Sequence, residues 1–135
     1  MSIIASNPLS ALLRIAPTVP AAHTCRETLR VLFQHPEAKC LVVCHPDHTP
    51  AGLLMCERFF LKVTGHSGME LFYREPVTRL MNRKPLTVDI FTPPEHVLTS
   101  ALERPEAMKN DCIIVTEEGA FAGVVYVSDL TREQH

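Results

Sequence analysis

The stretch Gln34-His35-Pro36-Glu37-Ala38-Lys39 runs into Cys40-Leu41-Val42-Val43. It returns as Glu103-Arg104-Pro105-Glu106-Ala107-Met108 ahead of Cys112-Ile113-Ile114-Val115. Pro36 and Pro105 lie 69 residues apart, as do Val19 and Val88 near the openings of the two halves. The strand starts Cys40 and Cys112 are 72 apart, and Gly52 and Gly123 are 71 apart. A drift of two or three residues is what loop-length changes between copies of one unit produce. An internal repeat constrains architecture more than any other sequence signal. It predicts two similar small modules packed sheet to sheet, with pseudo-twofold symmetry and a cleft between them.

Bulk properties narrow the function classes. Each half, at roughly 60 residues, is marginal for an independent core, so a shared core is expected. Hydrophobic residues make up 46% of the chain and aromatic ones 6%, which predicts an aliphatic core. A net charge of −2 argues against nucleic-acid binding, which wants a basic patch. No apolar run approaches the ~18 residues of a membrane span. The start Met1-Ser2-Ile3-Ile4-Ala5-Ser6 lacks the basic region of a secretory signal. The five cysteines are odd in number and form no CxxC pair, which fits free thiols in a reducing cytoplasm.

Leu9, Leu12, Leu13 and Ala16 recur at helical spacing and predict a helix around Pro8 to Ile15. Pro17 and Pro20 then hold Thr18-Val19 extended. Thr24 and Glu27 have the spacing of a capping box, opening a helix that buries Cys25, Leu29, Leu32 and Phe33. Cys40 to Val43 reads as a buried strand, His45 to Pro50 as a turn, Gly52 to Met55 as a strand and Glu57 to Val63 as a helix. Thr64 to Arg79 reads as a linker, with a turn at Gly65-His66-Ser67-Gly68. In the second half Pro85 to Val88 enters extended. Thr92-Pro93-Pro94-Glu95 starts a helix lined by Val97, Leu98, Ala101 and Leu102. Asp111 to Thr116 and Ala122 to Val127 read as strands joined by the turn Glu117-Glu118-Gly119. Ser128 or Asp129 caps a last helix, Leu130 to Gln134, which the chain end cuts short. Each half is thus β-α-β-β-α. The fold class is α/β (α+β), with a first module and its linker over 1–75 and a second over 76–135.

The order of these elements resembles a tandem pair of CBS domains, the regulatory modules named after cystathionine β-synthase, from about Leu12 to Thr131. The resemblance rests on Ala16-Pro17-Thr18-Val19, on Val77-Thr78-Arg79-Leu80-Met81, and on Gly123-Val124-Val125-Tyr126-Val127-Ser128-Asp129-Leu130. Phe59-Phe60-Leu61-Lys62-Val63-Thr64-Gly65, Pro76-Val77, Leu80-Met81, Pro85-Leu86 and Asp111 to Thr116 are most similar to the CBS pairs of bacterial diguanylate cyclase and cyclic-di-GMP phosphodiesterase proteins. The chain itself carries no cyclase or phosphodiesterase motif. The resemblance implies a cytoplasmic, non-catalytic sensory module of a signalling protein, with an output domain fused or separate. It also implies homodimerisation through helices, and regulatory binding of AMP, ADP, ATP or S-adenosylmethionine in the cleft, with no required cofactor.

The family's binding signature is Gly, two apolar residues, Thr or Ser, two variable residues and Asp. In it, backbone groups and apolar strand residues hold the adenine, the Asp accepts both ribose hydroxyls, and the hydroxyl residue and helix start receive phosphate. The second module matches at Gly123, Val124, Val125 and Asp129, with Tyr126 in the hydroxyl position. The first matches at Gly52, Leu53 and Leu54, but Met55 replaces the hydroxyl residue and Arg58 the Asp. The resemblance therefore implies one nucleotide site, of Thr87, Ile114, Gly123, Val125, Tyr126 and Asp129, with Arg58 either a phosphate contact or a surface residue.

Plainer readings stand beside these. Asp129 reads equally as a helix cap and dipole partner, and Thr87 as a strand threonine. Cys44, His45 and His48, with His66, match no zinc spacing and read as loop residues, so no metal is expected. Cys56 has no base specified for it and reads as packing rather than as a nucleophile. Gly65-His66-Ser67-Gly68 lacks the lysine and glycine spacing of a phosphate loop. The alternative for the whole chain is a structural dimerisation module with no nucleotide ligand.

Overall fold

A computed structural model describes residues 8–133. The leading segment read for a signal peptide and Gln134 of the last helix lie outside the described residues. The chain divides into two compact units, Ala16–Pro85 and residues 8–15 with 86–133.

In the first unit the elements are β1 (Thr18–Pro20), α1 (Cys25–Gln34), β2 (Cys40–Cys44), β3 (Pro50–Met55), α2 (Cys56–Thr64) and α3 (Gly68–Phe72). In the other they are β4 (Thr87–Asp89), α4 (Pro94–Leu102), β5 (Ile113–Glu117), β6 (Ala120–Val125) and α5 (Val127–Glu133). The sheets are ordered β1-β2-β3 and β4-β5-β6. In each, the first pair is parallel and the second antiparallel. A parallel pair needs a crossover, which α1 and α4 supply, whereas the antiparallel pair closes through a short turn. Glu118 (φ 54°) and Gly119 (φ 83°) form the two-residue turn between β5 and β6. Two left-handed residues in succession match the twist of a hairpin.

The repeat is visible row by row. Val19 pairs with Val43 and Val43 with Gly52, while Val88 pairs with Val115 and Val115 with Gly123. Residues paired across a sheet share a face, so the faces alternate along each strand. Val19, Leu41, Val43 and Leu54 point into one core with Leu29, Phe59 and Val63. Ile113, Val115 and Val125 point into the other with Val97, Ala101 and Leu130.

Each unit thus has its own core cluster, where the sequence alone suggested a shared one. The reason is an exchange of entry segments. Leu9 is 1% exposed and packs, with Leu12 and Leu13, into the β4–β6 core. Val77, Leu80 and Met81 complete the β1–β3 core. The stretch before β1 therefore belongs with β6, where Arg14 and Val124 form an antiparallel bridge. The stretch before β4 belongs with β3, where Asn82 bridges Leu53. By contacts the division runs after Ile15 and after Pro85, and each borrowed segment fills out a half too small to close alone.

Several local expectations change. The N-terminal helix is a single 3-10 turn, Leu9–Leu12, because Leu13 is already extended toward the bridge at Arg14. The stretch read as a linker holds α3 and a 3-10 turn at Val77–Arg79. Thr92 does not cap α4: Pro93 takes the cap position, with Pro94 in the first turn. Neither Ser128 nor Asp129 caps α5, which begins earlier at Val127. Phe33 and Leu102, expected in the cores, are 60% and 51% exposed. The capping box is present: Thr24 Oγ1 accepts from Glu27 N at 3.1 Å, and Glu27 Oε1 accepts from Thr24 N at 2.8 Å. Within the opening repeat, Arg104 donates to the carbonyls of Ala101, Lys109 and Asp111 at 3.1, 2.9 and 3.0 Å, tying the turn before β5.

Candidate functional site

The junction of β6 and α5 gathers most of the residues singled out by the signature. The α5 amides of Asp129 and Leu130 donate to the Tyr126 carbonyl at 3.1 and 3.3 Å. The helix thus starts directly after the strand and places Asp129 in its first turn, where the helix dipole favours a carboxylate. Its neighbour Leu130 is fully buried, which anchors the helix on the core. The Asp129 carboxylate follows it inward and is only 8% exposed.

A carboxylate so far removed from water needs charge-assisted partners. Arg14 supplies them in fork geometry, Nε to Oδ2 at 2.8 Å and Nη2 to Oδ1 at 3.2 Å. Arg132 Nη2 lies 3.3 Å from Oδ1. The Arg14 guanidinium also stands 4.4 Å from the centre of the Tyr126 ring, a cation–π distance. Its backbone is clamped to β6, with Arg14 N donating to Val124 O at 2.7 Å and Val124 N to Arg14 O at 3.0 Å. Gly123 permits this approach: a Cβ there would stand 2.9 Å from the Arg14 carbonyl oxygen. The hydrogen bond to Asp129 holds the Arg14 guanidinium above its ordinary pKa, so Arg14 stays charged.

The other sequence-predicted residues fall on two faces. Thr87, Ile114 and Val124 form one register row, with Ile114 and Val124 buried and Thr87 exposed. Val125 lies in the next row, with Ile113, and its side chain is committed to the core. Arg58 belongs to the other unit, exposed on α2. There Met55 and Arg58 stand where Tyr126 and Asp129 do, so among the described residues the buried acid at this junction occurs in the β4–β6 unit alone. Among the described residues no group of three His, Cys, Asp or Glu side chains is placed to hold a metal ion. The five cysteines are buried, and none forms a disulfide among the described residues.

Sequence reasoning missed Arg14. The signal was present, since Leu12-Leu13-Arg14 recurs as Leu80-Met81-Asn82, the other bridging segment. Chemically, the junction is a buried carboxylate and an aromatic ring that share one guanidinium. It takes two parallel donors, such as a guanidinium edge or a vicinal diol.

Residues 77–135 match the family model for the CBS domain. Comparison with curated proteins gives no match. Among solved structures, the CBS-pair protein CBSX2 from Arabidopsis thaliana is 18% identical with a TM-score of 0.72, the alignment covering 96% of this chain and 95% of that one. The CBS domains of a transcriptional regulator from Streptococcus pneumoniae are 14% identical with a TM-score of 0.68, covering 93% and 98%. The cytosolic domain of the Mg2+ channel MgtE, in complex with ATP, is 21% identical with a TM-score of 0.73, covering 93% of this chain and 48% of that one. At these identities the likeness establishes the fold: an α/β chain with two three-stranded sheets, like the solved CBS pairs. The family match and the structural likenesses together support a CBS domain pair. No helix among the described residues is long and apolar enough to cross a membrane.

Proposed function

We propose that this protein is a non-catalytic regulatory module that senses an adenine nucleotide or adenosyl compound through the β6–α5 junction. The observation that carries the reading is the buried Asp129 carboxylate, whose partner Arg14 also stands over the Tyr126 ring. Asp129 accepts the ribose hydroxyls, Tyr126 packs on the base, and Thr87 and Ile114 line the neighbouring row. Gly123 and Val125 contribute backbone. Support comes from the CBS match over this segment and from the MgtE domain, a structural neighbour solved in complex with ATP. A ligand that binds one arrangement of the module better than another shifts the population by no more than its differential affinity. The protein acts in the cytoplasm as a homodimer and passes this shift to a fused or separate output domain. The Phe59 to Gly65 segment supports a bacterial signalling protein of the cyclic-di-GMP class as that setting.

A thermal-shift panel of AMP, ATP, S-adenosylmethionine, cyclic-di-AMP and cyclic-di-GMP tests the reading. A ligand present at a hundred times its Kd stabilises by about 2.7 kcal/mol. One of the adenosyl compounds should raise the melting temperature accordingly, and Asp129→Ala should abolish the rise. No shift with any of them at millimolar concentration refutes it.

A second reading, a structural dimerisation module without ligand, draws on a different observation. Phe33 and Phe60 meet edge to face at 6.0 Å on the surface of the β1–β3 unit, and Leu61 beside them is 60% exposed. That reading predicts a dimer at micromolar concentration by sedimentation, indifferent to every nucleotide.

A further inference from the structure

We propose that Arg14 is a latch: it occupies the carboxylate that a ribose needs, and a ligand reaches Asp129 only by displacing it. This rests on the nucleotide reading above. The two competitors are chemically alike, because a guanidinium edge and a vicinal diol each present two parallel donors to one carboxylate. Arg14 already makes both contacts, at 2.8 and 3.2 Å.

The pair is unequal in a way that decides which partner moves. Asp129 is 8% exposed and fixed in the first turn of α5, whereas the Arg14 side chain is 47% exposed. The guanidinium can swing into water without disturbing the sheet, because the Arg14 backbone stays bridged to Val124 on both sides. Tyr126 holds the guanidinium at 4.4 Å in the latched state, so a base packing on that ring competes with Arg14 a second time. The latch has no counterpart at the equivalent place in the other unit, where Asn82 replaces the arginine in the bridge and Arg58 the acid.

Displacement has a consequence for ligand choice. Once the diol takes the carboxylate, Arg14 is left without its anion. A neutral nucleoside offers nothing in exchange, while a phosphate-bearing one supplies a new counter-charge beside the same site. The latch therefore makes the site prefer anionic adenosyl ligands over neutral ones.

Calorimetric titration of the full chain with adenosine and with AMP tests this. Arg14→Ala should tighten adenosine binding roughly fivefold, the scale of a partly exposed ion pair. AMP should gain less or lose affinity, so its preference over adenosine narrows. Unchanged or weaker adenosine binding in a variant that melts like the wild type overturns the latch. Should Arg14→Ala fold poorly, Arg14→Gln keeps the side-chain length without the charge and carries the same expectation. In the wild type, the Arg14 Nε–H resonance should shift on saturation with AMP, and a resonance that does not move also overturns the proposal. Binding that is indifferent to Arg14 sinks the latch alone. No binding by wild type or either variant, of these or of the wider panel, sinks the nucleotide reading with it.

Discussion

Gly123→Ala is the sharpest test of the exchanged entry segment. A methyl at this position would stand 2.7 Å from Leu13 Cγ, 2.9 Å from the Arg14 carbonyl oxygen and 3.1 Å from Leu13 Cδ1. Carbon–carbon contacts are comfortable at about 3.5–4.0 Å, so close to an ångström of room must be found. The leucine side chain can turn away. The carbonyl cannot move without straining the two backbone hydrogen bonds to Val124, at 2.7 and 3.0 Å. Overpacking of this kind costs about 1–3 kcal/mol, and a weakened backbone hydrogen bond adds about 1 kcal/mol. A loss of roughly 2–4 kcal/mol is expected, or on the order of 10 °C in melting temperature for a chain of this size. Urea denaturation followed by circular dichroism measures it. Gly119→Ala is the control: nothing lies within 4 Å of the added methyl, so only its left-handed backbone (φ 83°) resists, at about 1–2 kcal/mol. Asparagine, which tolerates that conformation, should be nearly neutral at Gly119. If Gly123→Ala is as stable as the wild type to within about 0.5 kcal/mol, the close approach of the entry segment is wrong.

Leu9→Ala removes a side chain that is 1% exposed in the β4–β6 core and should cost about 2–5 kcal/mol, whereas a loss under about 1 kcal/mol would mean the N-terminal turn is not packed there. Thr24→Ala removes the capping box of α1 and should cost about 1 kcal/mol in chemical denaturation at neutral pH. Hydrogen bonds from Thr24 hold the Glu27 carboxyl below its usual pKa, so its contribution is present above the ordinary glutamate range and fades as pH falls through the lowered value. The wild-type advantage over Thr24→Ala should shrink on that acid side, and an advantage that is constant down to pH 3 would contradict this.

The scaffold was legible because it is written twice. Offsets between Val19 and Val88, and between Gly52 and Gly123, turned out to mark equivalent rows of two sheets. Strand positions carry such a signal well, since apolar alternation and glycine placement are local. What the sequence concealed was non-local. Nothing near Leu9 or Arg14 says that their partners lie beyond residue 85, so the N-terminal segment read as part of the nearer module. Val125 was assigned to the ligand by its place in the signature, and only the register shows its side chain in the core. The signature marks Asp129 in the sequence, yet its partner Arg14, 115 positions away, has no local trace beyond a weak echo in Leu80-Met81-Asn82.

That separation matters while the protein is being made. Translation adds about 5–20 residues per second, so Arg14 leaves the ribosome on the order of ten seconds before Asp129 does. Through that interval Leu9, Leu12 and Leu13 are synthesised apolar surface with no core to enter. The β1–β3 unit can close as soon as Pro85 emerges, but its counterpart must wait for β6 and α5. Long-range closures of this type are slow and expose sticky intermediates, so the nascent N-terminal segment is where a chaperone would be needed and where overexpression would first produce aggregates.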